Sequence, residues 1–234
     1  MGNVTETLVE GNHPYFPLGV ELQDFAPNTI SGPVLVAYFA AGSSAILATA
    51  FALLSRTSPS LRRKDVATAL WFTLSGCIHL FFEGYFAYNY DRMASRVDLF
   101  GQLWKEYALS DSRYLTQDSF VVTMESVTAF CWGPLSFLCV YFIAAGHPLR
   151  HPLQLIISLG QVYGDVLYYA TCTFAALTQG IRFCRPEDFY FWAYYFLCNA
   201  FWIVIPGALI ISSVKHTGNA FAKVQAAEKA NKAQ

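Results

Sequence analysis

Four ionisable side chains lie well inside long uncharged stretches of this 234-residue chain: His79, Glu83, Glu125 and Asp165. None of the 15 Lys and Arg residues lies there, so these acids have no internal cation to pair with. A carboxylate in hydrocarbon is costly, and such a group keeps a proton, shares one, or awaits a cationic ligand. Each of these states suits proton transfer or amine binding. His79 and Glu83 are four residues apart, which puts them on one helix face, where Glu83 bonds one imidazole nitrogen and makes the other a better base. If the second apolar stretch ends near Tyr88 and the third begins near Asp118, Glu83 and Glu125 fall at one level. That level is roughly 8 to 10 Å below the surface at about 1.5 Å per residue, and two proton carriers there flank one substrate.

Thr128 stands one helical turn from Glu125 and Trp132 two, while Asn199 and Trp202 share a face near the middle of the last stretch. An indole at that depth offers a π-face to positive charge, worth about 2 kcal/mol or more when desolvated. The plainer alternative for Trp202 is packing, and for Asp165 a bond to a neighbouring helix. A di-iron centre needs several histidines, and His79 is the only one inside a stretch. There is no Gly-rich phosphate loop and no dinucleotide fingerprint. No metal and no cofactor are therefore expected, and a redox-neutral proton shuffle on an apolar molecule is the chemistry left.

The elements that hold these residues must be membrane helices. Hydrophobic residues make up 55% of the chain and charged residues 13%, about half the share of an ordinary soluble domain. Fifteen basic against sixteen acidic residues leave no basic field for nucleic acid. Uncharged stretches near 33–54, 66–89, 118–143, 152–174 and 188–212 are each long enough to cross about 30 Å of hydrocarbon. Five spans put the termini on opposite faces. Nine basic residues fall on the side of the C-terminus and six on the other, so the C-terminus is expected in the cytoplasm. The organisation that follows is a lumenal segment 1–32, a five-helix domain 33–216 and a disordered cytoplasmic tail 217–234. The 90–117 connection reads as an amphipathic helix lying on the lumenal membrane face. The six cysteines show no CxxC spacing, so neither a zinc site nor a disulfide scaffold follows.

Several runs are also recognisable: Ile78-His79-Leu80-Phe81-Phe82-Glu83-Gly84, Leu103-Trp104-Lys105-Glu106-Tyr107, Asp111-Ser112-Arg113-Tyr114, Met124-Glu125-Ser126-Val127-Thr128, Gln161 to Tyr168 and Asn199-Ala200-Phe201-Trp202. Together they resemble the emopamil-binding-protein family of sterol Δ8-Δ7 isomerases, from about His13 to His216, with Cys172 to Glu187 departing furthest. The resemblance implies an all-α, five-helix bundle in the endoplasmic reticulum membrane, usually a homodimer, with an intramembrane sterol cavity. It implies that His79, Glu83 and Glu125 are catalytic and that Thr128, Asn199, Trp202, Tyr114 and Arg113 bind or support the substrate. The reaction so implied moves a ring double bond from C8=C9 to C7=C8 through a carbocation, and cationic amphiphilic amines are expected as ligands. Two readings from other classes stand beside it. One is a non-catalytic binder of sterols or such amines, like the related sigma-two receptor. The other is a proton-coupled transporter, for which no inverted repeat is found.

Overall fold

The computed structural model describes residues 13–232, and among these every regular element is a helix. Five are long: α1 (Gly32–Thr57), α2 (Arg63–Asn89), α4 (Ser119–Ala144), α5 (Arg150–Gln179) and α6 (Tyr190–Lys232). A short helix, α3 (Leu99–Tyr107), lies between α2 and α4. Starts and stops follow from local chemistry. Pro33 occupies the first turn of α1, where its missing N–H costs nothing. Asp98 and Asp118 cap α3 and α4 by accepting from Gly101 N (3.2 Å) and Val121 N (2.9 Å). Gly180, at φ 69°, ends α5 in the left-handed conformation that glycine adopts freely.

Four of the long helices, α1, α2, α4 and α6, are long and apolar enough to cross a membrane. The 30 residues of α5 reach about 45 Å, ample in length. Its apolarity is lowered by Gln154, Ser158, Gln161 and Asp165, all of them buried within the bundle.

Three long helices contain a π-helical turn: Ile78–Glu83 in α2, Thr128–Trp132 in α4 and Tyr190–Leu197 in α6. Such a turn is rare and needs a cause. In α4 the cause is Pro134, which has no N–H to offer the Phe130 carbonyl. In α2 the Phe82 carbonyl accepts from Trp104 Nε1 (3.0 Å), and in α6 the carbonyls of Tyr195 and Phe196 accept from Asn199 Nδ2 (2.6 Å) and Tyr169 Oη (2.8 Å). Side chains thus replace the ladder bonds that hydrocarbon could not.

Glycines set how closely the helices approach. A Cβ on Gly133 would lie 3.0 Å from the backbone nitrogen of Leu80, and one on Gly76 would meet the Phe137 ring at 3.0 Å, so α2 and α4 nearly touch. A Cβ on Gly160 would stand 2.4 Å from Trp132 Cζ2, so only glycine leaves room there for the indole.

At one end of the bundle an aromatic cluster that includes Tyr15, Phe86, Trp104, Tyr114, Tyr168 and Tyr195 packs beneath the 13–31 segment and α3. Tyr15 Oη donates to Lys105 O (3.0 Å), Gln102 Oε1 accepts from Thr29 N (2.9 Å), and Lys105 donates to the Ala26 carbonyl. The expected surface helix therefore proves to be a cap. Gly101 through Lys105 are buried, because Trp104 and the Lys105 stem find partners in the bundle instead of at an interface. At the opposite end, Asp65 joins Arg62 and Arg150 (2.7 Å each). The tail after His216, expected to be disordered, continues α6 as far as Lys232 with every residue from Gly218 exposed. Its Ala, Lys, Gln and Glu content favours helix even without packing.

Candidate functional site

The two π-turns of α2 and α4 face each other; the α2 turn carries His79 and Glu83, and Glu125 stands just before the α4 turn. His79 and Glu83 both lie in the α2 turn, which Glu83 closes, with His79 Nδ1 2.7 Å from Glu83 Oε2. On its other side His79 Nε2 meets the amide nitrogen of Gln161 at 3.0 Å. With the Gln161 amide nitrogen donating, Nε2 is the acceptor and the proton sits on Nδ1, where Glu83 accepts it; the flipped amide reverses the tautomer. Glu125 ends the turn of α4 that leads into Thr128, and its Oε1 accepts from Tyr114 Oη at 2.6 Å. Glu83 and Glu125 line the same cavity. Burial, and then the neighbouring Glu125 charge, hold the Tyr114 phenol well above its usual range, so it stays a donor at any physiological pH.

These groups line a cavity of about 70 Å³ together with Thr128, Asn199, Trp202 and Asp165. The Trp202 ring lies 4.8 Å from that of His79, tilted by 36°, and 5.0 Å from that of Trp71. Pro206 cannot donate to the Trp202 carbonyl, which loosens the α6 ladder at that level. Thr128 donates to its own Met124 carbonyl (2.8 Å), and Asn199 Nδ2 reaches Tyr107 Oη (2.9 Å) besides Tyr195 O. Asp165 is 8% exposed, and its Oδ2 has no hydrogen-bond partner. A larger cavity of about 490 Å³ opens beside Glu21, Asp91 and Gln117 at the cap end, away from His79 and both buried glutamates. The smaller space gathers the buried ionisable groups.

Of the residues singled out in the sequence, nine surround one cavity: His79, Glu83, Glu125, Asp165, Thr128, Trp132, Asn199, Trp202 and Tyr114. Arg113 does not line it. Its guanidinium is held by Asp111 (2.7 Å) and Thr171 (2.8 Å) and covers the Tyr168 ring at 4.9 Å, so it braces the wall from behind. Gln161, Gly160 and Tyr168 contribute to the cavity without having been singled out. Gln161 could have been found from its spacing of four to Asp165, which puts two polar side chains on one face of an apolar helix. Among the described residues, no three His, Cys, Asp or Glu side chains are placed to hold a metal ion.

Residues 99–213 match the family model of EBP, described as EXPERA, the expanded EBP superfamily. The 3-beta-hydroxysteroid-Delta(8),Delta(7)-isomerase of Rattus norvegicus is 40% identical over 211 residues, covering 89% of this chain and 90% of that protein. The protein of the same name from Cavia porcellus is 40% identical over 207 residues, 87% of this chain and 88% of its own. A probable 3-beta-hydroxysteroid-Delta(8),Delta(7)-isomerase of Oryza sativa subsp. japonica is 35% identical over 210 residues, with 89% and 94% covered.

Proposed function

The chain belongs to the EXPERA, or expanded EBP, superfamily, and from that membership and its acid-lined cavity we propose that it is a 3β-hydroxysteroid Δ8-Δ7 isomerase of sterol biosynthesis. The observation that carries this reading is the facing pair Glu83 and Glu125, one bonded to His79 and the other to Tyr114. Moving the double bond adds a proton at C9 and removes one from C7, with positive charge on C8 between the steps. Glu125 is one proton carrier and the His79–Glu83 pair the other. The carboxyl groups face the cation, and the Trp202 ring, tilted against that of His79, lends π-density to positive charge on the imidazole or in the cavity. The surrounding aromatic walls keep bulk water from C8, where it would trap the cation. Thr128 and Asn199 line the substrate's path, and Arg113 positions it through Tyr168. A cationic amphiphilic amine mimics the C8 cation and is the expected inhibitor.

The helices belong to a membrane protein, and α5 completes five spans. Its polar residues are buried, whereas Ile156, Leu159, Tyr163, Val166, Phe174 and Leu177 are exposed, as a helix facing lipid on one side requires. The same reading places the protein in the endoplasmic reticulum membrane as a homodimer, with the cap end lumenal and residues 217–234 cytoplasmic. Turnover of a Δ8 sterol by the purified protein tests the activity, and an amine binder without catalysis would bind but not convert it. For orientation, a glycosylation acceptor inserted near residue 12 is expected to be modified. Modification of one near Lys223 instead reverses the topology.

A further inference from the structure

One face of α5 carries Gln154, Ser158, Gln161 and Asp165 at spacings of four, three and four, the repeat of a single helical stripe. All four are 8% exposed or less, and each has a polar atom without a protein partner: Gln154 Oε1, Ser158 Oγ, Gln161 Oε1 and Asp165 Oδ2. Asp165 and Gln161 reach the cavity; Ser158 and Gln154 lie below it, toward the Arg150 end. Two more hydroxyls join them at this lower level. Ser75 on α2 lies one turn beyond His79 and Ser136 on α4 one turn beyond Trp132, both toward the same end. Each is 0% exposed and each hydroxyl is unpartnered. The close approaches of Gly133 to Leu80, Gly76 to Phe137 and Gly160 to Trp132 set the three helices in register, so the three serines occupy one layer.

Below that layer, Gln154 Nε2 donates to Ser213 Oγ (2.9 Å) on α6, and one turn further Arg150 meets Asp65 at the end of the bundle. The column from Gln161 to Arg150 spans 11 residues, or about 16 Å. Buried polar groups in folded proteins are almost always bonded, and where protein supplies no partner ordered water does. Serine hydroxyls standing alone would rather bond their own helix carbonyls, as Ser126 does to Val122 (2.7 Å). Toward the cap end the aromatic cluster packs above the cavity.

We propose that Ser75, Ser136 and Ser158, with Gln154 and Ser213, hold a file of water that carries protons between the His79–Gln161 side of the cavity and the membrane face at Arg150. This rests on the isomerase reading, because that reaction creates the need. Each turnover leaves the acid one proton short, given to C9, and the base one proton over, taken from C7. The file passes one proton out and one in, restoring both groups with no net change.

The experiment uses the full chain in lipid nanodiscs, with a Δ8 sterol deuterated at both C7 positions, over many turnovers in ordinary water. Mass spectrometry of the product reads deuterium at C9, which arises only when the deuteron taken from one substrate is returned to the next. In the unaltered protein the file exchanges that deuteron, and C9 carries hydrogen. In the Ser75→Ala, Ser136→Ala, Ser158→Ala triple variant, exchange slows by about 10², the scale of a lost proton carrier, and deuterium accumulates at C9. Ser126→Ala leaves the label unchanged. If the triple variant does not fold, Ser158→Ala alone is read in the same way. Normal turnover with C9 hydrogen in the serine variants overturns the file and leaves the isomerase reading standing; no turnover by the unaltered protein overturns both.

Discussion

Replacing Tyr114 by phenylalanine takes away one oxygen, and the structure says what that oxygen does. The ring is 3% exposed and packs at 4.8 Å from Trp104 and 5.1 Å from Phe86, contacts that phenylalanine keeps. What is lost is the 2.6 Å bond from Tyr114 Oη to Glu125 Oε1, shorter than the 2.7 Å bond between His79 and Glu83 and a direct handle on one proton carrier. A hydrogen bond to a charged group contributes about 1.5 to 3 kcal/mol, which is about 10- to 150-fold in rate if the bond matters fully in the transition state. The expected result is a fall of that size in kcat for a Δ8 sterol, with KM and melting temperature little changed. Because the phenol acts through Glu125, Tyr114→Phe in a Glu125→Gln background adds no further loss. A kcat within about twofold of the unaltered protein, or a full additional loss in that background, refutes the claim that Tyr114 positions Glu125 for proton transfer.

Glu125→Gln keeps the fold and much of the sterol affinity but loses turnover by about 10² or more, and His79→Ala does likewise, whereas Asp165→Asn is milder; steady-state kinetics beside thermal melting check all three. A lipophilic amine inhibits better than its uncharged carbon isostere, and the difference shrinks in Trp202→Leu; equal inhibition by the two in the unaltered protein removes the support for a cation at C8. Gly160→Ala pushes the Trp132 indole into the cavity at an overpacking cost of about 1 to 3 kcal/mol, seen as a lower melting temperature and a raised KM. Gly207→Ala, with nothing within 4 Å of its new Cβ, changes neither for the worse.

The long helices were legible because hydrocarbon imposes length and apolarity on whatever crosses it. The stretch near 118–143 and the helix Ser119–Ala144 differ by one residue at each end. The level shared by Glu83 and Glu125 could be counted from helix ends, since rise per residue is nearly constant. The π-turns could not be read in advance. They depend on partners distant in sequence, such as Trp104 taking the Phe82 carbonyl, and only Pro134 left a local sign. The cap was misjudged for a similar reason: alternating charge around Leu99 to Tyr107 looks the same whether the helix lies on lipid or closes a bundle. Arg113 entered through the resemblance alone, and the structure turns its guanidinium to Asp111, two residues away, and to Thr171.

The cavity of about 70 Å³ is far smaller than the ~300 to 1,000 Å³ of sites that enclose drug-sized molecules. On the isomerase reading, a sterol then enters only when the lining side chains and helices move apart. If the open form is a small fraction of the population, every ligand's measured affinity is weakened by that same fraction, however good its contacts. Departure waits for the same rare interval. Compounds that fit this protein should then be ranked by how long they stay, since differences in residence time separate ligands that look alike at equilibrium.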